Sequence, residues 1–485
     1  MAVIRGNLLD ETLEQAHAGN ITCDSRRVKS GDIFFVLPGQ SHRENVYCQE
    51  ALERECGGIV IEKSAMENLG KIFANSARNI HVWAMENVRQ TFVFVLKKSL
   101  NLLDNVHPTF AVTGTDGKTT TTYLLRHLVD IPTAVIGTIH YDLIEKIIPS
   151  EQTTPDLEDL YRMIAALPKG TGVAIELSSH ALDQGRAYAL DIDVAIFSNL
   201  TGDHLDYHGN REHYFLAKRK LFSGENGNMP KHNILNLNNT YGQRLSHEFG
   251  GITYGIENIN ADYNAVDLRF FANKTTFTLK HRGKKYFYEI PLIGMFNVEN
   301  TLAALAAIHE NQNVELGSLI EKIKTFSGVP GRLQSVENNR GIRILVDLAH
   351  TEGGLRRVLE SLQEIKKRKI LTVFGCGGNR DRTKRPGMMH IACQFSDLIF
   401  ATSDNPRHES VEMIFKDMKP GIIAGSRVAF EPNRTAAITL ALEEAQRDDI
   451  VLIAGKGHQT YEQIGDEKIP FSDIDVVQSL LLNGI

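Results

Sequence analysis

The chain has 485 residues, with 53 Lys and Arg against 59 Asp and Glu, 42% hydrophobic and 23% charged residues. At roughly 150 residues per domain this length suggests about three domains, each able to bury its own core, and the net charge of −6 gives no basic surplus of the kind that nucleic-acid binding requires. Five scattered cysteines, Cys23, Cys48, Cys56, Cys376 and Cys393, without CxxC spacing, exclude a disulfide scaffold and point to reduced thiols in the cytoplasm. No apolar run approaches the length of a membrane span and no apolar leader follows Arg5, so neither an anchor nor an export signal is expected.

Residues 1–105 carry short β-rich runs, Ile33 to Leu37, Gly58 to Ile61 and His81 to Ala84, separated by turns such as Lys29-Ser-Gly-Asp, which predicts a small α/β domain. Residues 106–330 form a second unit. It opens with a strand at Thr109 to Val112, a glycine loop, and a helix over Thr119 to Val129. Buried strands are predicted at Gly172 to Ile175 and Val194 to Phe197, a hairpin at Thr276 to Leu279 and Tyr286 to Ile290, and a helix at Asn297 to His309. Gly328-Val-Pro-Gly331 reads as a linker. In residues 331–485, strands at Ile344 to Val346, Leu371 to Phe374, Leu398 to Ala401 and Val451 to Ala454 alternate with helical patterns such as Leu355 to Ile365, the grammar of a second parallel sheet.

Three segments carry chemistry. Thr113-Gly-Thr-Asp-Gly-Lys-Thr-Thr lies between a strand and a helix, where glycines let backbone N–H groups approach phosphate oxygens and the helix N-terminus favours negative charge. In that arrangement Lys118 reaches the β- and γ-phosphates and the Thr119 hydroxyl faces Mg²⁺. Glu176, in Ala174-Ile-Glu-Leu-Ser-Ser-His, and the segment Asn199-Leu-Thr-Gly-Asp-His-Leu-Asp-Tyr-His follow apolar strands, at the sheet edge where α/β proteins bind ligands. A carboxylate and the His204 imidazole there can share a cation; taken singly His204 reads more often as a structural histidine and Asp203 or Asp206 as a helix N-cap, and sharing a sheet edge with the glycine loop reverses that reading. The last third offers anion binders in Asn379-Arg-Asp-Arg, Lys384-Arg385 and Ser403-Asp-Asn-Pro-Arg407. For Lys384 and Arg385 a solvated charged loop is as good a reading. Phe374-Gly-Cys-Gly-Gly lacks GxGxxG, which argues against a dehydrogenase.

In their order along the chain these motifs, with Thr153-Thr-Pro, Glu176 to Arg186 (ELSSHALDQGR), Gly294-Met-Phe-Asn-Val-Glu-Asn, Pro330-Gly-Arg-Leu-Gln, Asp347-Leu-Ala-His-Thr and Gly455-Lys-Gly-His, resemble those of the Mur ligases of peptidoglycan synthesis. The resemblance implies an α/β, three-domain architecture: a small UDP-substrate domain, a central P-loop ATPase-like domain and a C-terminal Rossmann-like domain that binds the amino acid. SSHALDQGR together with SDNPR most resembles the branch that adds meso-diaminopimelate to UDP-N-acetylmuramoyl-L-alanyl-D-glutamate through an acyl phosphate, with ATP and Mg²⁺.

By that resemblance Gly114, Thr115, Asp116, Gly117, Lys118, Thr119, Thr120, Asn297, Arg332, Asp347 and His350 contact ATP, and Glu176 and His204 hold metal. Lys218 matches a lysine that is carbamylated in the family and then joins the metal site; its own sequence context reads as an exposed helix residue. Ser25, Thr153, Thr154, Ser178, Gln184 and Arg186 are assigned to the UDP-muramoyl dipeptide. Arg380, Asp404, Asn405, Arg407, Gly455 and Gln459 are assigned to the diaminopimelate. The implied enzyme is a cytoplasmic monomer with small-molecule substrates and neither nucleic-acid nor membrane partners. Four departures from the family pattern stand out: Asp116 where Asn is usual, Asp347-Leu-Ala-His-Thr-Glu for DYAHTP, Gln40-Ser-His-Arg-Glu for an Asp-Gly-His stretch, and Gln459 for Glu. They keep open a paralogous ligase with another amine or carboxylate, and a nucleotide-binding regulator without turnover.

Overall fold

The computed structural model describes residues 3–5, 20–39, 43–74, 80–103, 107–202 and 204–484. Asp203, Gln40 and its next two neighbours, and the expected boundary at 105/106 lie outside the described residues.

Among the described residues three large sheets follow one another in chain order, with a two-stranded one, Tyr461–Ile464 against Glu467–Pro470, beside the last. The first has five parallel strands, ordered Val3–Arg5, His81–Met85, Gly58–Glu62, Ile33–Phe35, Ile21–Thr22. The second has eleven strands, and its middle is parallel: Thr133–Ile136, Gly172–Glu176, Thr109–Thr113, Val194–Phe197, His232–Asn236, Ile252–Ile256 and Tyr263–Phe270 lie side by side. The four at its centre, Thr133–Ile136, Gly172–Glu176, Thr109–Thr113 and Val194–Phe197, are buried at every position, as expected of parallel strands covered on both faces. The third sheet places Arg343–Asp347, Ile450–Ala454, Ile370–Gly375, Leu398–Thr402 and Val428–Phe430 in parallel, with Gln334–Val336 antiparallel at one edge.

The strands and helices read from hydrophobic period are present with ends moved by a few residues. The hairpin pairs Thr275–His281 with Lys284–Ile290, and the helices run over Lys118–Leu128, Met295–Gln312 and Glu352–Gln363. The turn at 328–331 is not a free linker. Val329 is buried, and a Cβ at Gly331, whose φ is +65°, would come within 2.1 Å of the His458 amide nitrogen. The first sheet is fixed to the second by Thr22 Oγ1 and the Cys23 N–H, both donating to Glu158 (2.8 and 3.0 Å), and by the Lys97–Asp191 pair at 2.7 Å. One apolar core runs between them, with Phe35, Trp83 and Phe92 in the same cluster as Leu160, Tyr161 and Ile175.

Candidate active site

The carboxyl ends of the central strands open onto a cavity of about 460 Å³. Its floor is the glycine loop between Thr109–Thr113 and Lys118–Leu128. Gly114 (φ +148°) and Gly117 (φ +86°) hold backbone that other residues rarely adopt, and a Cβ would lie 1.9 Å from Ser198 Oγ at the first and 2.3 Å from Asn300 Oδ1 at the second, so any substitution forces a shift. Asn199 clamps the loop from the neighbouring strand, accepting from the Asp116 N–H at Oδ1 (3.1 Å) and donating to the Asp116 carbonyl (3.2 Å). Lys118 Nζ donates to the Gly114 and Thr115 carbonyls, each at 2.9 Å. Thr115, Thr119 and Thr120 also line the cavity.

Glu176 stands at the end of the strand beside the loop. It is 1% exposed, and its carboxylate accepts from the Thr138 N–H (3.0 Å) and the Thr138 hydroxyl (2.9 Å). Among the described residues it has no ion pair. His204 caps the short helix Leu205–His208 in a left-handed conformation, φ +53°, with its ring edge-on to His180 at 4.9 Å; Asp206 lies in the first turn of that helix. His180 and His208 are held below the usual imidazole range by burial, His208 at about 4. Lys218 is not an exposed helix residue. It is 1% exposed, donates to the Gly114 carbonyl at 2.8 Å, and lies 4.6 Å from the Tyr214 ring centre. The apolar period of Arg211–Arg219, which buries Tyr214, Phe215 and Ala217 on the same side, is the signal that places it inside.

The third sheet closes the cavity. Arg332 donates to Thr119 Oγ1 at 3.2 Å. Asp347 is buried and accepts from the Leu333 and Ala349 N–H groups, both at 2.7 Å. Burial pushes its carboxyl up against the opposing pull of Arg332. His350 lines the same wall, its Nδ1 2.8 Å from the Leu348 carbonyl of its own turn. On the opposite side Asn297 is buried at the head of Met295–Gln312, bonded to the Ile293 carbonyl (2.8 Å) and to Asn300 (3.2 Å). Sequence reasoning missed Arg357, which reaches from Glu352–Gln363 to pair with Asp116. The unusual acid in the loop thus has its counter-charge on another sheet's helix.

This pair is partly exposed, so its worth is about 1 kcal/mol or less. Arg357→Ala should therefore raise the KM for ATP about fivefold, by leaving an unneutralised carboxylate beside the phosphates. Adding Asp116→Asn should recover most of that loss. A double-mutant cycle in which the two losses simply add would show that the pair has no such role.

The residues assigned to the nucleotide substrate fall into two places. Thr153, Thr154, Ser178, Gln184 and Arg186 cluster beside Glu176. Thr153 Oγ1 is 3.2 Å from Thr138 Oγ1 and lines the cavity. Thr154 and Ser178 have structural duties: the Thr154 hydroxyl donates to the Glu176 carbonyl (2.7 Å) and accepts from the Ser178 N–H (3.1 Å), and Ser178 caps the next helix. Arg186 donates to Gln184 Oε1 (2.8 Å) and to the Thr154 carbonyl (3.1 Å). Ser25 lies apart on the first sheet's side, its hydroxyl 2.5 Å from Glu50.

At the C-terminal sheet, Asp404 and Asn405 are buried in the loop after Leu398–Thr402. Asn405 accepts from Lys456 Nζ (3.0 Å) and the Gln463 N–H (2.8 Å) and donates to Gln459 Oε1 (3.1 Å). Gly455 (φ +116°) abuts Asp404. Arg407 donates to the Gly378 carbonyl at 2.8 Å, and burial and then Arg380 draw its guanidinium below the usual value. Both side chains flank Gly377, where a Cβ would lie 3.2 Å from Arg407 Nη1 and 3.8 Å from Arg380 Cγ. The FGCGG run explains itself here: a Cβ at Gly378 would strike the Pro406 carbonyl at 1.8 Å. Arg385 is neither an anion binder nor a solvated residue. It is fully buried and paired with Glu409 (2.9 Å) and Asp417 (2.7 Å), while Lys384 donates to the His350 carbonyl at 3.0 Å.

Comparison with known proteins gives the family of the chain. The Mur ligase middle domain model matches residues 112–308, and that of the Mur ligase glutamate ligase domain matches residues 331–457. The chain is 35% identical over 482 residues to the UDP-N-acetylmuramoyl-L-alanyl-D-glutamate–2,6-diaminopimelate ligase of Fusobacterium nucleatum subsp. nucleatum, covering 97% of this chain and 95% of the relative. It is 37% identical over 478 residues to the protein of that name from Solibacter usitatus, covering 97% and 94%. A solved structure bearing the same name superposes with a TM-score of 0.68 at 34% identity, covering 96% of this chain and 95% of the other.

Proposed function

The chain belongs to the Mur ligase family, and from that premise we propose that it is an ATP-dependent ligase joining meso-diaminopimelate to the D-glutamate γ-carboxyl of UDP-N-acetylmuramoyl-L-alanyl-D-glutamate. The observation that carries the reading is one cavity in which the glycine loop, Glu176 and His204 meet Arg332, Asp347 and His350 from the third sheet. ATP and a carboxylate acceptor can be enclosed together there.

The loop amides and the helix N-terminus receive the phosphates. Lys118 exchanges the Gly114 and Thr115 carbonyls for β- and γ-phosphate oxygens. The acceptor carboxylate attacks the γ-phosphorus, ADP leaves, and the resulting acyl phosphate is attacked by the amine, whose proton is lost as the C–N bond forms and phosphate departs. A buried carboxylate with no cationic partner among the described residues, beside a threonine hydroxyl, fits a hard divalent cation. Glu176 and Thr119, with His204, would hold Mg²⁺, which supplies charge neutralisation at the transferring phosphoryl group. Lys218 becomes eligible for that set only as a carbamate, which replaces its ammonium with a carboxylate-like group.

Arg380 and Arg407, adjacent and without a shared ion pair among the described residues, suit the distal carboxylate of the incoming amino acid. Asp404 suits an ammonium, and Gln459 offers it a neutral acceptor. The carboxylate introduced by Gln459→Glu should lower the KM for meso-diaminopimelate about fivefold, the step from a neutral to a charge-assisted hydrogen bond. An unchanged or raised KM would remove Gln459 from the amine site. The nucleotide end lies toward Thr153, Gln184, Arg186 and Ser25. We take the enzyme to act as a monomer in the cytoplasm, where ATP is at hand.

The test is ADP release by the purified protein with ATP, Mg²⁺ and the UDP-muramoyl dipeptide, comparing meso-diaminopimelate, L-lysine and other amines. Release that depends on meso-diaminopimelate is expected. Preference for another amine would assign a paralogous ligase, and none with any amine would leave a nucleotide-binding regulator.

A further inference from the structure

The far end of the helix Met295–Gln312 carries a group of ligand-type side chains that the ligase reaction does not use. His309 and Glu310 lie on its last turn, and His281 ends the hairpin strand Thr275–His281 packed beside it. One nitrogen or oxygen from each of the three lies within 4.8 Å of the others.

Tautomers are decided by their partners. His281 Nδ1 is 2.8 Å from the Asp262 carbonyl and His309 Nδ1 is 2.7 Å from the Val314 carbonyl. A carbonyl only accepts, so each Nδ1 carries its proton and each Nε2 presents a lone pair. Backbone carbonyls commonly orient metal-bound histidines in this way. His281 is 5% exposed, and its Nε2 is buried without a hydrogen-bond partner, a state that costs free energy unless something occupies the lone pair. Glu310 accepts at Oε1 from the Tyr263 hydroxyl (2.7 Å) and from Arg282 (3.4 Å). The Tyr263 ring stacks on His281 at 4.1 Å and holds that imidazole in place. Burial draws the His281 imidazole below its usual value, favouring the neutral, ligating form.

We propose that His281, His309 and Glu310 form a site for a divalent transition cation of the Zn²⁺ type, with water as the fourth ligand, that ties the hairpin to the helix end. Two imidazoles and a carboxylate match the borderline-soft character and tetrahedral preference of Zn²⁺ better than the all-oxygen sets of Mg²⁺ or Ca²⁺. Bonds of about 2.0–2.1 Å require ligand atoms about 3.3 Å apart, so binding draws the three in from their present span of up to 4.8 Å, with Glu310 turning from the solvent-exposed Arg282 guanidinium while Tyr263 keeps its bond to the carboxyl group. The site is structural and separate from catalysis. Asn297 lies twelve residues earlier on the same helix, about 18 Å away at 1.5 Å per residue. No H-x-x-H spacing marks the site in sequence; the hairpin register and the helix bring 281 and 309 together.

The test uses the full chain, treated with chelator and then held in excess Mg²⁺ to fill hard-oxygen sites. Co²⁺ is titrated as an optical probe and Zn²⁺ as a thermal-shift ligand. One equivalent of Co²⁺ with a four-coordinate visible band, and a rise in melting temperature with Zn²⁺, are expected. His309→Gln and Glu310→Gln, both at half-buried positions, should fold and bind at least about tenfold more weakly. Both leave the buried His281 and its stacking on Tyr263 in place. The absence of a stoichiometric band in the unaltered protein, or binding of equal strength in both variants, would overturn the proposal.

Discussion

Lys118→Ala is expected to lower kcat for amine-dependent ADP release about 10²- to 10³-fold, the usual effect of removing one preorganised cationic donor from a transition state that develops charge. Among the described residues the Lys118 ammonium donates only to loop carbonyls, at the edge of the cavity, so water can replace it there. The melting temperature should therefore stay within a few degrees. Near-normal turnover in a folded variant would show that the glycine loop does not hold the reacting phosphates.

Arg407→Ala is expected to raise the KM for meso-diaminopimelate about 10- to 100-fold while leaving that for ATP within about twofold. A charge-assisted carboxylate clamp is worth about 1.5–3 kcal/mol, and Arg407 belongs to the loop beside Asp404 and Asn405, away from the phosphate floor. Its backbone is left-handed, φ +51°, and Ala carries strain there as well, so Arg407→Lys is the companion variant. Lysine keeps the charge but not the fork, and an intermediate KM is expected. Equal changes in both Michaelis constants would place Arg407 in general stability instead of amine recognition.

The strands that support the site are readable because they are buried on both faces, as at Val194–Phe197 and Ile450–Ala454, where uninterrupted apolar runs admit few other readings. Edge elements are not. Ile147–Pro149 and the pair Tyr461–Ile464 with Glu467–Pro470 are short and largely solvent-facing, with no buried run or period to betray them. Within the site, the glycine loop and the residues at strand ends are visible because ligand chemistry collects at that sheet edge. Arg357 is not, since only tertiary packing brings Glu352–Gln363 over the loop. Lys218 is misplaced by its charge: the apolar period of its helix puts the position inside, but an ammonium is expected in water unless its partners, here the Gly114 carbonyl and the Tyr214 ring, are seen. Thr154 shows the converse. Its motif suggests substrate contact, yet its hydroxyl is engaged at both Glu176 and Ser178.

If one enclosed site activates a carboxylate with ATP and hands it to an amine, an oxygen of that carboxylate must leave with the phosphate. The direct measurement is the fate of ¹⁸O placed in the D-glutamate γ-carboxylate of the nucleotide substrate, followed by mass spectrometry of phosphate and peptide product with meso-diaminopimelate present. One ¹⁸O in each phosphate released and a product heavier by one diaminopimelyl residue are expected. Phosphate without label, alongside amide product, would contradict the acyl-phosphate route and with it the role given to this cavity.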